Sequence, residues 1–157
     1  MDIQVSSNFE RLLFEATNRD GDAVNGLMQS LAQSGAFTVP DHALARIRNV
    51  FAAGQVNEVG IAATIAETNS ECGYLLDPHT AVGVAVANHQ LDTNPEPMIT
   101  LATAHPAKFP DAVHAATGIE PALPLWLADL NDREERFDVL PNDQAAVEAH
   151  IRARTRA

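Results

Sequence analysis

The stretch MITLAT at 98–103 carries the clearest indication of the fold class. It is short and apolar, and Pro97 and Pro106 bound it on either side. A run of this kind is typical of a β-strand that is buried on both faces of a parallel sheet. We therefore predict a buried strand at 98–103 and an α/β fold around it.

The residues before this stretch, about 1–95, have the pattern of a series of helices. Ser7 and Glu10 have the spacing of a capping box, and apolar residues then recur at helical intervals. Asn57 is placed to cap a later helix that ends at Gly73. The first half of the chain is accordingly predicted to be helical.

The helix nearest the predicted strand begins at Asp77-Pro78, because Asp is a preferred N-cap and Pro suits the first turn. The following AVGVAVANHQL is apolar nearly all round, so we expect this helix to be deeply buried. Beyond the strand, a helix should run from Pro110 to near Gly118. Residues 136–140 could form a second strand, and Asp143 should cap a terminal helix.

Two strands are too few for a stable sheet of this buried kind. The missing strands must come from another copy or from a longer parent chain. The fold class predicted from the sequence is therefore α/β and helix-rich, with few strands of an incomplete parallel sheet in the region 97–157.

Composition and charge exclude several classes of function. The 157 residues carry 10 basic and 21 acidic side chains, a net charge of -11. This balance argues against nucleic acid and against an anionic membrane surface as partners. The chain has one cysteine, Cys72, no apolar run of the ~20 residues that a membrane helix needs, and no signal-peptide pattern at its start. We expect a cytoplasmic protein.

Three segments resemble the threonine synthase family. ITLATAHPAKFPDAV at 99–113 is similar to that family's TAHPAKF signature, and LLDPHTAVGVAVA at 75–87 to its DPHTAVG segment. MDIQVSSNFERLLF at 1–14 resembles the stretch that follows the family's phosphate-binding loop, including Asn8, Phe9 and Arg11. The three segments occur in the family's order and together span most of residues 1–113.

The resemblance implies the C-terminal segment, over 1–157, of a fold type II enzyme that depends on pyridoxal 5'-phosphate (PLP) and resembles tryptophan synthase. Such enzymes convert O-phospho-L-homoserine and water to L-threonine and phosphate. In this family the Schiff-base lysine and the cofactor's phosphate loop lie upstream of the matching segments. Both therefore fall before Met1, in a missing N-terminal portion, and the chain alone is expected to be inactive.

By motif position, the resemblance makes Thr103 the cofactor-binding residue, as the partner of the pyridine nitrogen. Its place at the end of a predicted strand agrees, since ligands in open α/β sheets bind beyond strand ends. His105 either bonds to nearby backbone or forms part of the active-site wall. Lys108 is the only lysine. It lies away from the family's Schiff-base position, so we expect it to contact an anion, such as substrate phosphate, or a carbonyl.

Asn8 and Arg11 could bind the substrate's phosphate, because an arginine matches phosphate oxygens with two hydrogen bonds. The alternative is a helix N-terminus followed by a solvated arginine. His79 and Thr80 are expected to cap the helix that begins at Asp77-Pro78. The histidines have no metal-ligand spacing, so no metal site is predicted.

A second class of function also fits the residues. Without the lysine and the phosphate loop, the chain could be a non-catalytic fragment or pseudoenzyme that binds a small anion or a partner protein. The intact motifs favour the enzyme, and the absent parts favour the binding module.

Overall fold

The computed structural model describes residues 6–91 and 97–155. The first five residues of the 1–14 motif and the end of the predicted helical region, 92–96, lie outside the described residues, as do 156–157. The described helices are α1 (Ser7–Ala16), α2 (Gly21–Ser34), α3 (Asp41–Arg48), α4 (Glu58–Cys72), α5 (Pro78–Leu91), α6 (Pro110–Thr117) and α7 (Gln144–Arg154), with short 3₁₀-helices at Pro106–Lys108, Leu125–Leu127 and Leu130–Asp132.

The chain divides into two compact units, Met1–Pro121 and Ala122–Ala157. In the first unit, α1 packs against α2 and α3, while α4 packs against α5 and α6. The core beside α4 and α5 contains Ile61, Ile65, Leu76 and Ala81. This core holds the first turn of α5 in place, close to the predicted site.

Helix ends follow the local capping signals. Asn57 Oδ1 accepts a hydrogen bond from the Gly60 N–H at 2.9 Å, as predicted for the start of α4. The predicted stops at Gly73 and Gly118 are confirmed, with φ of 67° and 73°, in the left-handed region that favours glycine.

The first helix begins slightly differently from the prediction. The residue that caps α1 is Ser6, not Ser7, because the Ser6 hydroxyl accepts from the Phe9 N–H at 3.4 Å. The capping position is therefore one residue earlier than the Ser7–Glu10 spacing indicated.

The prediction that 98–103 is a strand buried on both faces is not confirmed in this structure. Within the described residues no β-strand is present, and this segment has no regular secondary structure. Ile99 is 83% exposed and Leu101 is 75% exposed. The physical reason is that a strand needs a neighbour for its backbone groups, and the described part of the chain offers none.

The predicted second strand at 136–140 and the predicted deep burial of α5 also differ from the structure. Residues 136–140 also make no strand pairing, and Phe137 and Val139 in them are exposed. Helix α5 is buried at its first turn but only partly buried over 82–87, and it is exposed over 88–90. The sheet that would cover these surfaces is not formed by the described residues.

The second unit is small and contains α7. Asp143 caps this helix as predicted, accepting from the Ala146 N–H at 2.8 Å. Asp129 binds the Arg133 guanidinium through two hydrogen bonds, of 2.7 and 3.1 Å, which lower the pKa of the exposed Asp129 carboxyl. This pair spans the short 3₁₀-helix Leu130–Asp132.

None of the helices in the described residues combines the length and the apolar character needed to cross a membrane.

The core of the first unit makes a testable prediction about stability. Ile65 on α4 is buried, whereas Val59 on the same helix is 78% exposed. Ile65→Ala should lower the free energy of unfolding by about 2–5 kcal/mol, because it leaves a cavity. Val59→Ala is the matched control and should change it by less than about 0.5 kcal/mol. Urea unfolding of both variants checks this, and equal losses would contradict the assigned core.

Candidate functional site

The site is built on the first turn of α5. Asp77 directly precedes this helix and is 1% exposed. Its Oδ1 accepts hydrogen bonds from the backbone N–H groups of His79 at 2.9 Å and Thr80 at 3.4 Å. A carboxylate in this position satisfies free amides and interacts favourably with the positive end of the helix dipole. The predicted capping role of this turn is confirmed.

Thr80 connects this buried carboxylate to the segment that the sequence singled out. The Thr80 hydroxyl donates a short hydrogen bond to Asp77 Oδ2. The same oxygen accepts a hydrogen bond from the Thr103 N–H at 3.0 Å. Thr103 is thereby held against the start of α5, although 23 residues separate the two threonines.

A second close approach lies one helical turn further along α5. A Cβ atom added at Gly83 would lie 3.0 Å from Thr100 Cγ2, which is tighter than an ordinary van der Waals contact. The absence of a side chain at Gly83 therefore allows segment 98–103 to approach α5 closely. The segment is fixed at two points, Thr100 and Thr103.

A groove of about 430 Å³ lies along this contact. Its lining includes His79, Gly83 and Thr103, together with Ala52, Ala53, Val86, Ala87, Gln90, Met98, Ile99, Thr100 and Leu101. None of these side chains is a lysine, an arginine or a carboxylate. The described lining therefore offers a ligand apolar walls, the threonine hydroxyls, the Gln90 amide and the His79 ring.

His79 forms one side of the groove. Its ring lies against Phe109 of the TAHPAKF motif, with ring centroids 4.8 Å apart and planes tilted by 50°. Its buried Nδ1 lies 3.3 Å from Asp77 Oδ1 but makes no hydrogen bond within the described residues. The two motifs, 75–87 and 99–113, thus meet at this histidine.

His105 and Lys108 belong to the turn that follows Thr103. His105 Nδ1 accepts from the Ala107 N–H at 3.2 Å, and the His105 carbonyl accepts from the Lys108 N–H at 3.0 Å. His105 therefore caps the 3₁₀-helix Pro106–Lys108, which is the local backbone bond that the sequence left as one alternative. Both residues are exposed, and the groove lining includes neither.

Asn8 and Arg11 lie together elsewhere, on α1. Arg11 Nη1 donates to Asn8 Oδ1 at 3.2 Å, and both residues are exposed. Arg11 lines a different groove, of about 670 Å³, between α1 and α2. Glu10 and Glu15 line the same groove, and their charges oppose the binding of an anion there.

Sequence reasoning missed the side chain that connects the site. Thr80 was expected only to cap α5, and no spacing rule relates it to Thr103. Among the described residues, no group of three or more His, Cys, Asp or Glu side chains is arranged to hold a metal ion.

Comparison with known proteins identifies the family. The family model described as "Threonine synthase, C-terminal" matches residues 80–151. Threonine synthase of Pseudomonas aeruginosa is 49% identical over 152 residues, which cover 96% of this chain and 32% of that protein. The crystal structure of PLP-bound threonine synthase from Brucella melitensis is 57% identical and superposes with a TM-score of 0.75, covering 100% of this chain and 34% of that one. The chain belongs to the threonine synthase family.

The chain corresponds to part of the longer threonine synthases. It spans about a third of the length of the curated relatives it matches, including 32% of the enzyme from Corynebacterium glutamicum, to which it is 39% identical. The structure of yeast threonine synthase is 32% identical, with a TM-score of 0.69, and 35% of that chain is covered. Both partners of the Thr80–Thr103 hydrogen bond lie within the range that the threonine synthase family model matches, whereas Asn8 and Arg11 precede it.

The buried position of Asp77 makes a second prediction. Asp20 caps α2 through two hydrogen bonds of 3.0 Å, but it is exposed and is a matched control. Asp20→Ala should cost about 0.5–2 kcal/mol of stability. Asp77→Ala should cost about 1–3 kcal/mol more, because it also leaves the Thr80 hydroxyl buried without its acceptor. Equal losses in urea unfolding would show that Asp77 acts only as a cap.

Proposed function

We propose that this chain is the C-terminal portion of a threonine synthase, which forms L-threonine and phosphate from O-phospho-L-homoserine and water with PLP. The observation that carries the proposal is the position of Thr103, which lines the groove and is bound through Thr80 to a buried aspartate. The family relationship and the PLP-bound relative from Brucella melitensis support it.

The groove suits the pyridine end of the cofactor. Its volume of about 430 Å³ is in the usual range for small-molecule sites, and its walls are largely apolar. In the bound enzyme PLP would act as an electron sink that stabilises carbanions while phosphate leaves the substrate. We propose that the Thr103 hydroxyl donates a hydrogen bond to the pyridine nitrogen. A neutral donor leaves that nitrogen largely without a proton, whereas a carboxylate would hold one there.

The rest of the cofactor must be held by other parts of the protein. A phosphate group needs cations or several N–H donors, and no lysine or arginine is among the described residues that line the groove. Lys108, the one lysine of the chain, lies in the exposed turn beyond the groove lining. We therefore propose that the Schiff-base lysine and the phosphate loop belong to the part of the family's enzymes that this chain does not span. On this proposal the chain alone is inactive.

The exposed segment 98–103 supports the same conclusion about the fold. Large exposed apolar side chains that adjoin one another mark surfaces that bind something else. Ile99 and Leu101 are of this kind, and the segment that carries them has no strand partner among the described residues. We propose that this segment pairs with strands from the remainder of the enzyme and completes a parallel sheet of the fold type II kind.

We propose two further places where the substrate's phosphate could bind. Lys108 and His105 follow Thr103 directly, so they could contact a substrate bound beside the cofactor. The Asn8–Arg11 pair would need the charges of Glu10 and Glu15 to be balanced by other groups before it bound a phosphate. For a reaction of amino-acid biosynthesis we propose a cytoplasmic setting.

The test uses a fusion enzyme in which this chain replaces the matching C-terminal third of the Pseudomonas aeruginosa relative. It should release phosphate and threonine from O-phosphohomoserine. In this enzyme, Thr103→Val should weaken PLP retention and lower turnover about tenfold or more, because losing the hydrogen bond to a buried ring nitrogen costs about 1.4 kcal/mol or more. Thr103→Ser keeps the hydroxyl and should have a much milder effect.

The control variant is Thr38→Val, at an exposed threonine in the loop between α2 and α3. It removes the same hydroxyl at a position outside the groove and should match the unchanged fusion enzyme. If Thr103→Val and Thr103→Ser both match the unchanged enzyme as well, Thr103 does not contact the cofactor. An unchanged fusion enzyme that folds but binds no PLP would refute the proposed function.

A further inference from the structure

We propose that Thr80 is a positioning residue for the reaction, because its hydroxyl fixes the backbone of Thr103 relative to α5. The inference rests on the proposed function, since it concerns where the Thr103 hydroxyl meets the cofactor. It assigns to Thr80 a role beyond capping its own helix.

The direction of the hydrogen bonds is determined by the groups themselves. A carboxylate only accepts, so the single hydroxyl proton of Thr80 points to Asp77. The lone pairs of the Thr80 oxygen are then free to accept, and the backbone N–H of Thr103 can only donate. The two hydrogen bonds therefore have one direction only: Thr103 donates to Thr80, and Thr80 donates to Asp77.

Burial makes this series rigid. Asp77 is 1% exposed and Thr80 is 4% exposed, so water does not compete freely for their hydrogen bonds. The remaining carboxylate oxygen of Asp77 is held by the first-turn amides of α5. The acceptor for the Thr103 N–H thus has a fixed position in the helix.

The position of segment 97–103 relative to α5 depends on this fixed acceptor. The residues of this segment make no strand pairing within the described part of the chain. The contact of Thr100 with Gly83 sets how closely the segment approaches α5. The hydrogen bond to Thr80 fixes the position of Thr103 along α5. Catalytic geometry is sensitive to shifts of about 1 Å, so a loosened Thr103 should bind the cofactor less well.

The first measurement is amide hydrogen exchange at Thr103 in this chain. Thr80→Val keeps the shape of the side chain but removes the acceptor, and exchange at Thr103 should become roughly two- to tenfold faster. Thr80→Ser keeps the hydroxyl and should restore slow exchange. The matched control is Thr64→Val, because Thr64 is also buried but its hydroxyl bonds only to the Gly60 carbonyl of its own helix, at 2.8 Å.

The second measurement is PLP retention and the cofactor's absorbance spectrum in the fusion enzyme with the same variants. Thr80→Val should retain less PLP and shift the spectrum, while Thr80→Ser and Thr64→Val should resemble the unchanged enzyme at equal fractions folded. Unchanged exchange at Thr103 in Thr80→Val would overturn the proposal, as would equal losses of PLP in Thr80→Val and Thr64→Val.

The two measurements separate this inference from the proposed function. If the unchanged fusion enzyme folds but retains no PLP, the proposed function is wrong and the positioning role is wrong with it. The exchange experiment still decides whether Thr80 holds Thr103. If exchange accelerates but PLP retention and spectrum do not change, Thr80 is structural only, and the inference is refuted while the proposed function stands.

Discussion

The hydrogen bond from the Thr103 N–H to the Thr80 hydroxyl is the interaction on which the site depends. It joins segment 98–103, which has no strand partner among the described residues, to α5, whose first turn is packed in the core. Behind it lies the buried carboxylate of Asp77, which orients the hydroxyl and caps the helix at once. One acidic side chain therefore links helix formation, tertiary structure and the placement of the candidate cofactor residue.

How far the sequence predicts this structure depends on the range of the interaction concerned. Helix boundaries at Asn57, Gly73 and Gly118 were predicted correctly, because capping and left-handed glycines involve residues within one turn of each other. The strand predicted at 98–103 is not confirmed, for the opposite reason. Strand pairing depends on distant partners, and the apolar pattern that indicates a buried strand cannot say whether those partners are present.

In the candidate site, too, the local features could be predicted from the sequence and the long-range contacts could not. Thr103 was found through a motif, and the capping role of Asp77 through a local rule. The bond between Thr80 and Thr103 had no signal in the sequence, because it spans 23 residues and uses a hydroxyl that was already explained by its place in a helix. The separation of Arg11 from the groove of Thr103 was equally invisible, since it depends on how α1 packs against α2 and α3.

We propose that the 98–103 segment, which has no strand partner among the described residues, becomes a strand in the longer enzyme. Hydrogen–deuterium exchange of the amides at 99–102 tests it most directly, in this chain and in the fusion with the Pseudomonas aeruginosa relative. These amides should exchange rapidly in the chain alone, because no strand pairing protects them within the described residues. In the fusion they should become protected by orders of magnitude, as expected for a central strand. Equally rapid exchange in both proteins would show that 98–103 gains no strand partner in the longer enzyme.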